Sequence, residues 1–125
     1  GNSSGRIGFT APENSIVYTG THDNNTTVGW YSRDIDEVLR ESLANLVGTT
    51  SDRPRTICQR LIKAAYASRA RMAIIPMQDI LGLDERARMN TPGTVGLNWR
   101  WCLKKYYLLE IDPQKIKALC VRYRR

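Results

Sequence analysis

The sequence predicts an α/β protein in which two buried parallel strands are connected by helices. Two short runs rich in β-branched and other apolar residues, 15–19 and 71–77, are typical of strands. Apolar residues recur with helical spacing between these runs and again near the carboxyl end. A crossover through helices joins parallel strands of one sheet with right-handed geometry. The chain is therefore expected to form two strand–helix units followed by a terminal helix.

Polar side chains follow the first strand directly. Gly20 ends the strand, and His22, Asp23 and Asn24 come soon after it. A carboxylate beside an imidazole, just past the carboxyl end of a buried strand, is typical of the catalytic edge of α/β barrels. A simple polar turn explains the same residues, because Asn and Asp are common in loops. The spacing alone leaves both interpretations open.

The crossover between the strands is predicted to contain two helices. Ser32 or Asp34 caps the first helix, and Gly48 ends it. Its inward apolar face consists of Ile35, Val38, Leu39, Leu43 and Leu46. Ser51 or Asp52 begins the second helix, which has a proline in its first turn. Its inward face consists of Ile57, Leu61, Ala64, Ala65 and Ser68.

A second carboxylate follows the second strand. Pro76 ends that strand, and Gln78 and Asp79 emerge at its carboxyl end. Asp79 is either a second site carboxylate beside Asp23 or a cap of the turn at 80–83. The strong capping preference of aspartate favours the cap.

The remaining chain is predicted to form short elements and one helix. Asp84 caps a short helix at 85–89, and a turn follows at 90–94. The segment 98–107 carries the aromatic residues Trp99, Trp101, Tyr106 and Tyr107. They form either core or a sugar platform, and core is favoured because most aromatic side chains of a small domain pack inward. Asp112 opens the terminal helix, whose inward residues are Ile116, Leu119, Cys120 and Tyr123.

Length and charge limit the classes of protein that the chain can represent. With 125 residues it is one domain at most, and 19 Lys and Arg against 12 Asp and Glu give a net charge of +7. The basic residues are scattered, which argues against a nucleic-acid partner, since such partners usually select a basic stripe. The sequence contains neither an apolar run of about 18 residues nor a signal-peptide pattern.

The cysteines and the single histidine exclude several kinds of site. Cys58, Cys102 and Cys120 lack the paired spacing of a zinc site. Cys58 and Cys120 fall on apolar helical positions, so we expect buried, reduced thiols. An odd cysteine count without a disulfide framework fits a reducing compartment, which predicts a cytoplasmic protein. His22 has no serine or cysteine nucleophile at an informative spacing.

Three stretches resemble one enzyme family in the expected order. Residues 18–24 read Tyr-Thr-Gly-Thr-His-Asp-Asn, and residues 68–83 read Ser-Arg-Ala-Arg-Met-Ala-Ile-Ile-Pro-Met-Gln-Asp-Ile-Leu-Gly-Leu. Residues 87–94 read Ala-Arg-Met-Asn-Thr-Pro-Gly-Thr, and 98–101 read Asn-Trp-Arg-Trp. The combination resembles the amylomaltases, the 4-alpha-glucanotransferases or disproportionating enzymes of glycoside hydrolase family 77.

This resemblance implies a fold and a domain assignment. Family members are (β/α)8 TIM barrels, and such a barrel needs about 250 residues. The chain is therefore expected to be the carboxyl-terminal part of the barrel, its last two β/α units plus a terminal helix. Residues 1–13 are expected to be a linker and lead-in, and residues 14–125 the barrel portion. Strands separated from a closed barrel expose edges and apolar faces, so we expect self-association.

The resemblance also implies roles for individual residues. Asp23 matches the third acid of a retaining mechanism, which stabilises the transition state. His22, Asn24 and Asn90 are the expected ligands of a maltooligosaccharide or α-glucan substrate. The nucleophile and the acid/base lie on strands upstream of this chain, so the isolated chain is expected to be inactive. Neither a metal nor a cofactor is expected.

Departures from the family pattern keep a second function open. Asn25 stands where the family motif has a carboxylate, and Leu97 and Cys102 differ from the family's terminal loop. These differences concern the activity of the parent enzyme. The alternative function is a stand-alone module that binds α-glucan or, with less support, nucleic acid.

Overall fold

The computed structural model describes residues 12–125 as a mixture of short strands and helices. Residues 1–11, which include most of the predicted linker and lead-in, lie outside the described part. The elements in chain order are β1 (Ile16–Tyr18), α1 (Thr27–Gly29), a π-helical turn (Trp30–Asp34), α2 (Glu37–Leu46), α3 (Pro54–Ala67), β2 (Met72–Ile74), α4 (Met77–Ile80), a 3₁₀ helix (Glu85–Ala87), α5 (Lys105–Leu108) and α6 (Pro113–Arg122).

The two strands form a parallel pair. Val17 lies opposite Ala73, with the neighbouring residues in the same register, and helices α2 and α3 lie between the strands in sequence. This confirms the predicted parallel strands and helical crossover. Each strand has three residues, fewer than the apolar runs suggested.

The two faces of the strand pair have different environments. Successive strand residues point to opposite faces. On one face Val17 is 1% exposed and packs with Ala65 of α3 and with Ala70. On the other face Ile16, Met72 and Ile74 are each about half exposed, at 52%, 50% and 48%. Only the face toward α3 is covered within the described residues.

A second apolar cluster lies between the π-helical turn and helices α2 and α3. Its buried members are Tyr31, Ile35, Leu43, Ile57 and Leu61. The prediction was correct for Ile35 and Leu43, but Val38 and Leu46 are exposed. The packed side of α2 is centred on Leu43 and includes Ala44 and Val47. With 3.6 residues per turn, Val38 points away from that side and Leu46 lies beyond its edge.

The caps of the crossover helices differ from the predicted residues. Asp36 caps α2, because its Oδ1 accepts a hydrogen bond from the Val38 N–H at 2.8 Å. Ser32 and Asp34 lie instead inside the π-helical turn, which continues directly from α1 and delays the start of α2. Helix α3 begins at a proline and has no side-chain cap. The helix therefore begins just after the predicted start at Ser51 or Asp52, with Pro54 in its first turn as predicted. The predicted end of the preceding helix at Gly48 has the expected positive φ of 72°.

The carboxyl-terminal part of the chain has local caps but little core. Asp84 and Asp112 cap the 3₁₀ helix and α6, as predicted. The aromatic residues of 98–107 are not core: Trp99 is 57% and Tyr106 is 53% exposed. Trp101 and Tyr107 are half-buried. The core prediction fails because the loop and the one-turn helix α5 in this region bury no side chain fully.

The cysteines and the helices complete the description of the fold. Cys58 is buried on α3, Cys102 is exposed, Cys120 is partly buried, and none of the three forms a disulfide. Burial was therefore predicted correctly for Cys58 and only partly for Cys120.

Between residues 12 and 125, no helix has both the length and the apolar character to cross a bilayer.

Candidate functional site

A groove of about 360 Å³ lies at the carboxyl ends of the two strands. Because the strands are parallel, the segments that follow them meet at the same edge of the sheet. The strand residues Tyr18 and Ile74 line the groove, together with His22, Asn24, Gln78 and Arg88 from the following segments. The groove is therefore lined by both apolar and polar side chains.

The loop after β1 is a tight polar turn that presents His22 and Asp23 at its tip. The Asn24 N–H donates to the Thr21 carbonyl at 3.1 Å. The Asn24 Oδ1 accepts hydrogen bonds from the Thr21 N–H at 2.9 Å and from the Thr21 hydroxyl at 3.0 Å. The turn interpretation and the site interpretation thus describe the same residues, because the turn is what exposes the two side chains.

Asp23, His22 and Asn90 form a cluster beside the groove. His22 Nε2 lies 3.2 Å from Asp23 Oδ2. Asn90 Nδ2 donates to Asp23 Oδ1 at 2.7 Å across 67 residues of sequence. The His22 and Asp23 side chains are 57% and 48% exposed. Each carboxylate oxygen retains a lone pair for a further donor, because an ionised carboxylate offers about four acceptor sites.

Arg88 holds the two segments of the cluster together through the backbone. Its Nη2 donates to the Asp23 carbonyl at 2.8 Å, and its Nε donates to the Asn90 carbonyl at 2.9 Å. The Asn90 N–H in turn donates to the His22 carbonyl at 3.1 Å. Sequence reasoning assigned no role to Arg88. Arg88 binds backbone carbonyl groups, which every residue has, so the residue types of its partners do not indicate these contacts.

Trp99 contacts the exposed ring of His22. The two ring centroids are 5.2 Å apart and the planes are tilted by 32°. Trp99 has a positive φ of 61°, which is uncommon for a residue with a bulky side chain. Such a conformation costs about 1–3 kcal/mol and is concentrated at functional sites. From the sequence, Trp99 was expected either in the core or on a sugar platform, with core favoured; its 57% exposure contradicts the core, and its contact with His22 was not predicted.

Asp79 has a different environment from the one expected of a local cap. It is 2% exposed, and its carboxylate accepts hydrogen bonds from the Thr19 hydroxyl at 2.5 Å and from the Thr27 N–H and hydroxyl at 2.8 and 2.7 Å. Asp79 thus caps α1 from 52 residues away and binds the end of β1. The prediction that it caps the turn at 80–83 is wrong, because its carboxylate is directed at Thr19 and Thr27. Cys58 supports the same turn through a hydrogen bond to the Asp79 carbonyl.

A second pocket lies near the aromatic segment, and one of its lining residues, Asp84, has a shifted pKa. Trp101 and Tyr107 line it together with Asp84 and Arg86. The hydrogen bond from the Arg86 guanidinium lowers the pKa of the Asp84 carboxyl below its usual value. The hydrogen bond with Tyr106 raises the pKa of the Tyr107 hydroxyl. Neither titrating group belongs to the Asp23 cluster.

The arrangement at the strand ends is suited to a ligand with several hydroxyl groups. A carboxylate, an imidazole and an amide converge there on one half-exposed point. Among residues 12–125, no three His, Cys, Asp or Glu side chains come together as possible metal ligands. Fold and site together define an α/β protein with a groove and a polar side-chain cluster at the carboxyl ends of parallel strands.

Comparison with known proteins identifies the family. The 4-alpha-glucanotransferase family, glycoside hydrolase family 77, matches residues 4–108 of the chain. A 4-alpha-glucanotransferase of Streptococcus pneumoniae serotype 4 (strain ATCC BAA-334 / TIGR4) is 43% identical over 115 residues, which are 92% of this chain and 22% of that protein. The chloroplastic/amyloplastic 4-alpha-glucanotransferase of Solanum tuberosum is 38% identical over 117 residues, covering 90% of this chain and 20% of that protein.

A solved structure gives the same result. The amylomaltase from Streptococcus agalactiae in complex with acarbose superposes on 97% of this chain with a TM-score of 0.81 and 29% sequence identity, and 26% of that protein is covered. The chain therefore belongs to the 4-alpha-glucanotransferase family, and the resemblance found in the sequence is confirmed. It spans about a fifth of the length of the curated relatives described above.

Proposed function

We propose that the chain is the carboxyl-terminal barrel portion of a retaining 4-alpha-glucanotransferase, which transfers segments of 1,4-α-glucan between maltooligosaccharides. The observation that carries this proposal is the Asp23–His22–Asn90 cluster at the strand ends of a chain that belongs to this family. The length relative to the relatives supports a contribution of two β/α units to a larger barrel. The half-exposed Ile16, Met72 and Ile74 supply a face for the remaining strands to cover.

Asp23 is the transition-state-stabilising acid in this proposal. A retaining glycosidase mechanism passes through an oxocarbenium-like transition state, and hydrogen bonds to ring hydroxyls strengthen there. Asn90 and His22 orient the two oxygens of Asp23, and the lone pairs that remain can accept ring hydroxyls. A negative charge held near the developing positive charge stabilises the transition state.

His22 and Asn24 contribute further sugar contacts in the proposed site. Both line the groove. The carbonyl oxygen of the Asn24 side chain closes the turn, so its amide nitrogen is the group that can donate to a sugar hydroxyl. Asn90 lies on the other side of Asp23 and restricts the position of the carboxylate. The three residues thus bind and orient, while bond cleavage is assigned to groups outside this chain.

This proposal assigns the nucleophile and the acid/base to strands outside this chain. A retaining enzyme needs a nucleophile and an acid/base about 5–5.5 Å apart. Of the two acids that follow β1 and β2, Asp79 is buried and accepts three hydrogen bonds from Thr19 and Thr27. Asp79 lines the groove but its three hydrogen bonds and its burial favour a structural role, so Asp23, which lies beside the groove with its side chain 48% exposed, is the acid assigned to the substrate in this proposal. A cytoplasmic location and the absence of a cofactor stay predictions from the sequence.

A chimera tests the proposed function. In it, this chain replaces the matching segment of a related 4-alpha-glucanotransferase, and maltotriose is the substrate. We expect the chimera to release glucose and form a ladder of longer oligosaccharides, while the 125-residue chain alone is inactive. Turnover by the isolated chain above a heat-killed control would contradict the assignment of the nucleophile to another part of the protein.

Self-association of the isolated chain is a related expectation. Both outer edges of the strand pair are open, since β1 and β2 pair with no other strand in the described part of the chain. Open edges next to a half-exposed apolar face favour pairing between copies. Sedimentation velocity should therefore show a concentration-dependent mass, and a Met72→Glu variant should shift the distribution toward monomer. A monomer at every concentration would contradict this expectation.

A further inference from the structure

The contact between Trp99 and His22 is a feature that the proposed mechanism does not use. The rings lie 5.2 Å apart, although Trp99 is 57% exposed and the His22 side chain is also 57% exposed. Two exposed side chains on a surface normally sample several rotamers, and holding them together costs conformational entropy. The contact therefore calls for a structure that orders Trp99 independently of His22.

The loop that carries Trp99 supplies this order. Asn98 Oδ1 accepts a hydrogen bond from the Thr91 N–H at 2.9 Å, and Asn98 Nδ2 donates to the Thr94 carbonyl at 3.1 Å. The Trp99 N–H donates to the Met89 carbonyl. These bonds hold the loop closed. They bring Trp99 to Met89, which directly precedes Asn90, the residue that donates a hydrogen bond to Asp23.

The groups around the imidazole restrict it from two directions. Asp23 Oδ2 lies 3.2 Å from Nε2, and the indole centroid lies 5.2 Å from the imidazole centroid with the two planes tilted by 32°. Arg88 is the cation nearby, and its guanidinium binds the backbone carbonyl of Asp23. Asn90 contacts His22 through the backbone alone, at the His22 carbonyl. Of these groups, the indole and the Asp23 carboxylate are the ones that contact the ring itself.

We propose that Trp99 is a positioning residue of this site. Its indole holds the His22 imidazole in the orientation that faces Asp23, so that both side chains are ordered before a sugar binds. The positioning itself does not depend on the identity of the ligand. Its effect on binding rests on the proposed function, in which His22 is a sugar ligand.

Nuclear magnetic resonance on the 125-residue chain tests the positioning directly, because His22 is the only histidine. Trp99→Gly removes the indole but suits the positive φ, since glycine adopts that conformation freely. Trp99→Phe keeps an aromatic ring, and Trp101→Phe is the matched control at a neighbouring tryptophan. We expect the His22 ring signals of Trp99→Gly to move toward random-coil shifts and to broaden. Trp99→Phe should retain most of the native shifts, and Trp101→Phe should not change them.

The outcomes separate positioning from mere stabilisation of the loop. Native amide shifts for 88–94 together with altered His22 ring signals in Trp99→Gly would support the proposal. Unchanged His22 ring signals in that variant would overturn it. If the amide shifts of 88–94 also change, comparison with Trp99→Phe decides: recovery of both sets supports positioning by the ring, and failure to recover the ring signals overturns it.

A maltoheptaose titration then measures the consequence for binding. Loss of the ordering of one side chain should weaken binding by roughly two- to tenfold in Trp99→Gly, with partial recovery in Trp99→Phe. Equal affinity of Trp99→Gly and the natural sequence would overturn the claim that ordering of His22 assists the ligand. If the natural sequence itself does not bind, the proposed sugar contacts fail, while the ring signals still decide the positioning.

Discussion

Asp23 and Asp79 both follow the carboxyl end of a parallel strand, and the contrast between them separates a ligand-binding carboxylate from a structural one. Asp79 is 2% exposed and accepts three hydrogen bonds from the side chain or backbone of Thr19 and Thr27. The Asp23 side chain is 48% exposed and faces Asn90 and His22. Position at a strand end is thus shared by both acids. They differ in the number of carboxylate lone pairs that remain available to a ligand, because Asp79 accepts three hydrogen bonds and Asp23 accepts one, from Asn90.

The physical reason lies in where each side chain's partners come from. Thr19 and Thr27 close around Asp79 as β1 and α1 pack on the turn after β2, so its charge is desolvated and compensated by three donors. Asp23 sits at the tip of a turn and is reached from one side by Asn90. His22 Nε2 lies 3.2 Å from its other oxygen, and the side chain remains 48% exposed to solvent. The predictions that follow test this distinction between the two carboxylates.

The largest effect is expected for Asp23→Asn in the active chimera. The substitution keeps the shape of the side chain and removes its charge, so it should affect the transition state more than ground-state binding. A loss of several kcal/mol of transition-state stabilisation corresponds to a drop in kcat of about a thousandfold or more, at roughly 1.4 kcal/mol per factor of ten. Steady-state kinetics measures it. Glu41→Gln, an equivalent change on the exposed face of α2, is the control and should have wild-type kinetics.

Replacement of Asn90 should have a smaller effect on the same reaction. Asn90→Ala removes the hydrogen bond to Asp23 Oδ1, and a hydrogen bond to a charged group contributes about 1.5–3 kcal/mol. We expect kcat/KM to fall by roughly ten- to a hundredfold while the melting temperature changes little. If the loss equals that of Asp23→Asn, then Asn90 has a role of its own beyond orienting Asp23.

Asp79→Asn should affect stability in preference to rate. The amide has one acceptor oxygen for three donors, and a buried donor left unsatisfied costs about 1–3 kcal/mol. Urea unfolding of the chain should show this loss. Asp36→Asn is the matched control at an exposed helix cap, where Asn and Asp are nearly equivalent, and it should cost only a few tenths of a kcal/mol. A larger rate loss for Asp79→Asn than for Asp23→Asn would reverse the assignment of the two acids.

The smallest effect concerns a third acid, Asp84, whose pKa is lowered first of all by the Arg86 hydrogen bond. A folded-state pKa below the unfolded value stabilises the protein above the unfolded pKa of about 4, and this contribution is lost as the pH falls through the folded pKa. The Arg86 side chain is 87% exposed, so solvent screening should keep the contribution small. Urea unfolding from pH 6 to pH 2 should show Asp84→Asn and the natural sequence converging at low pH. A constant difference across this range would show that the ion pair is not responsible.

Part of the candidate site could be predicted from the sequence, because its residues have polar side chains at positions typical of binding sites. His22, Asp23 and Asn24 follow a strand, and the family resemblance added Asn90; the structure brings Asn90 into contact with His22 and Asp23. Their individual roles stay predictions. Arg88 and Trp99 were missed, because one binds carbonyl groups and the other depends on the conformation of a loop.

The sequence by itself determined the features that depend on residues within a few positions of each other. Two β-branched runs predicted the parallel strands, and Asp84 and Asp112 were recognised as helix caps. The family was recognised from short stretches of residues in the correct order. Each of these signals is local, because strand period, capping and motif spacing are set over one or two turns of chain.

Only the tertiary structure decided which strand-end carboxylate is buried and which side chains are left exposed. Asp79 meets donors 52 and 60 residues away, so its capping partner could not be found near it in sequence. Val38, Trp99 and Tyr106 match the pattern of buried residues, but each is more than half exposed in the described chain. Burial depends on what packs over a side chain, and that is set by the arrangement of distant segments and not by the residue's own type.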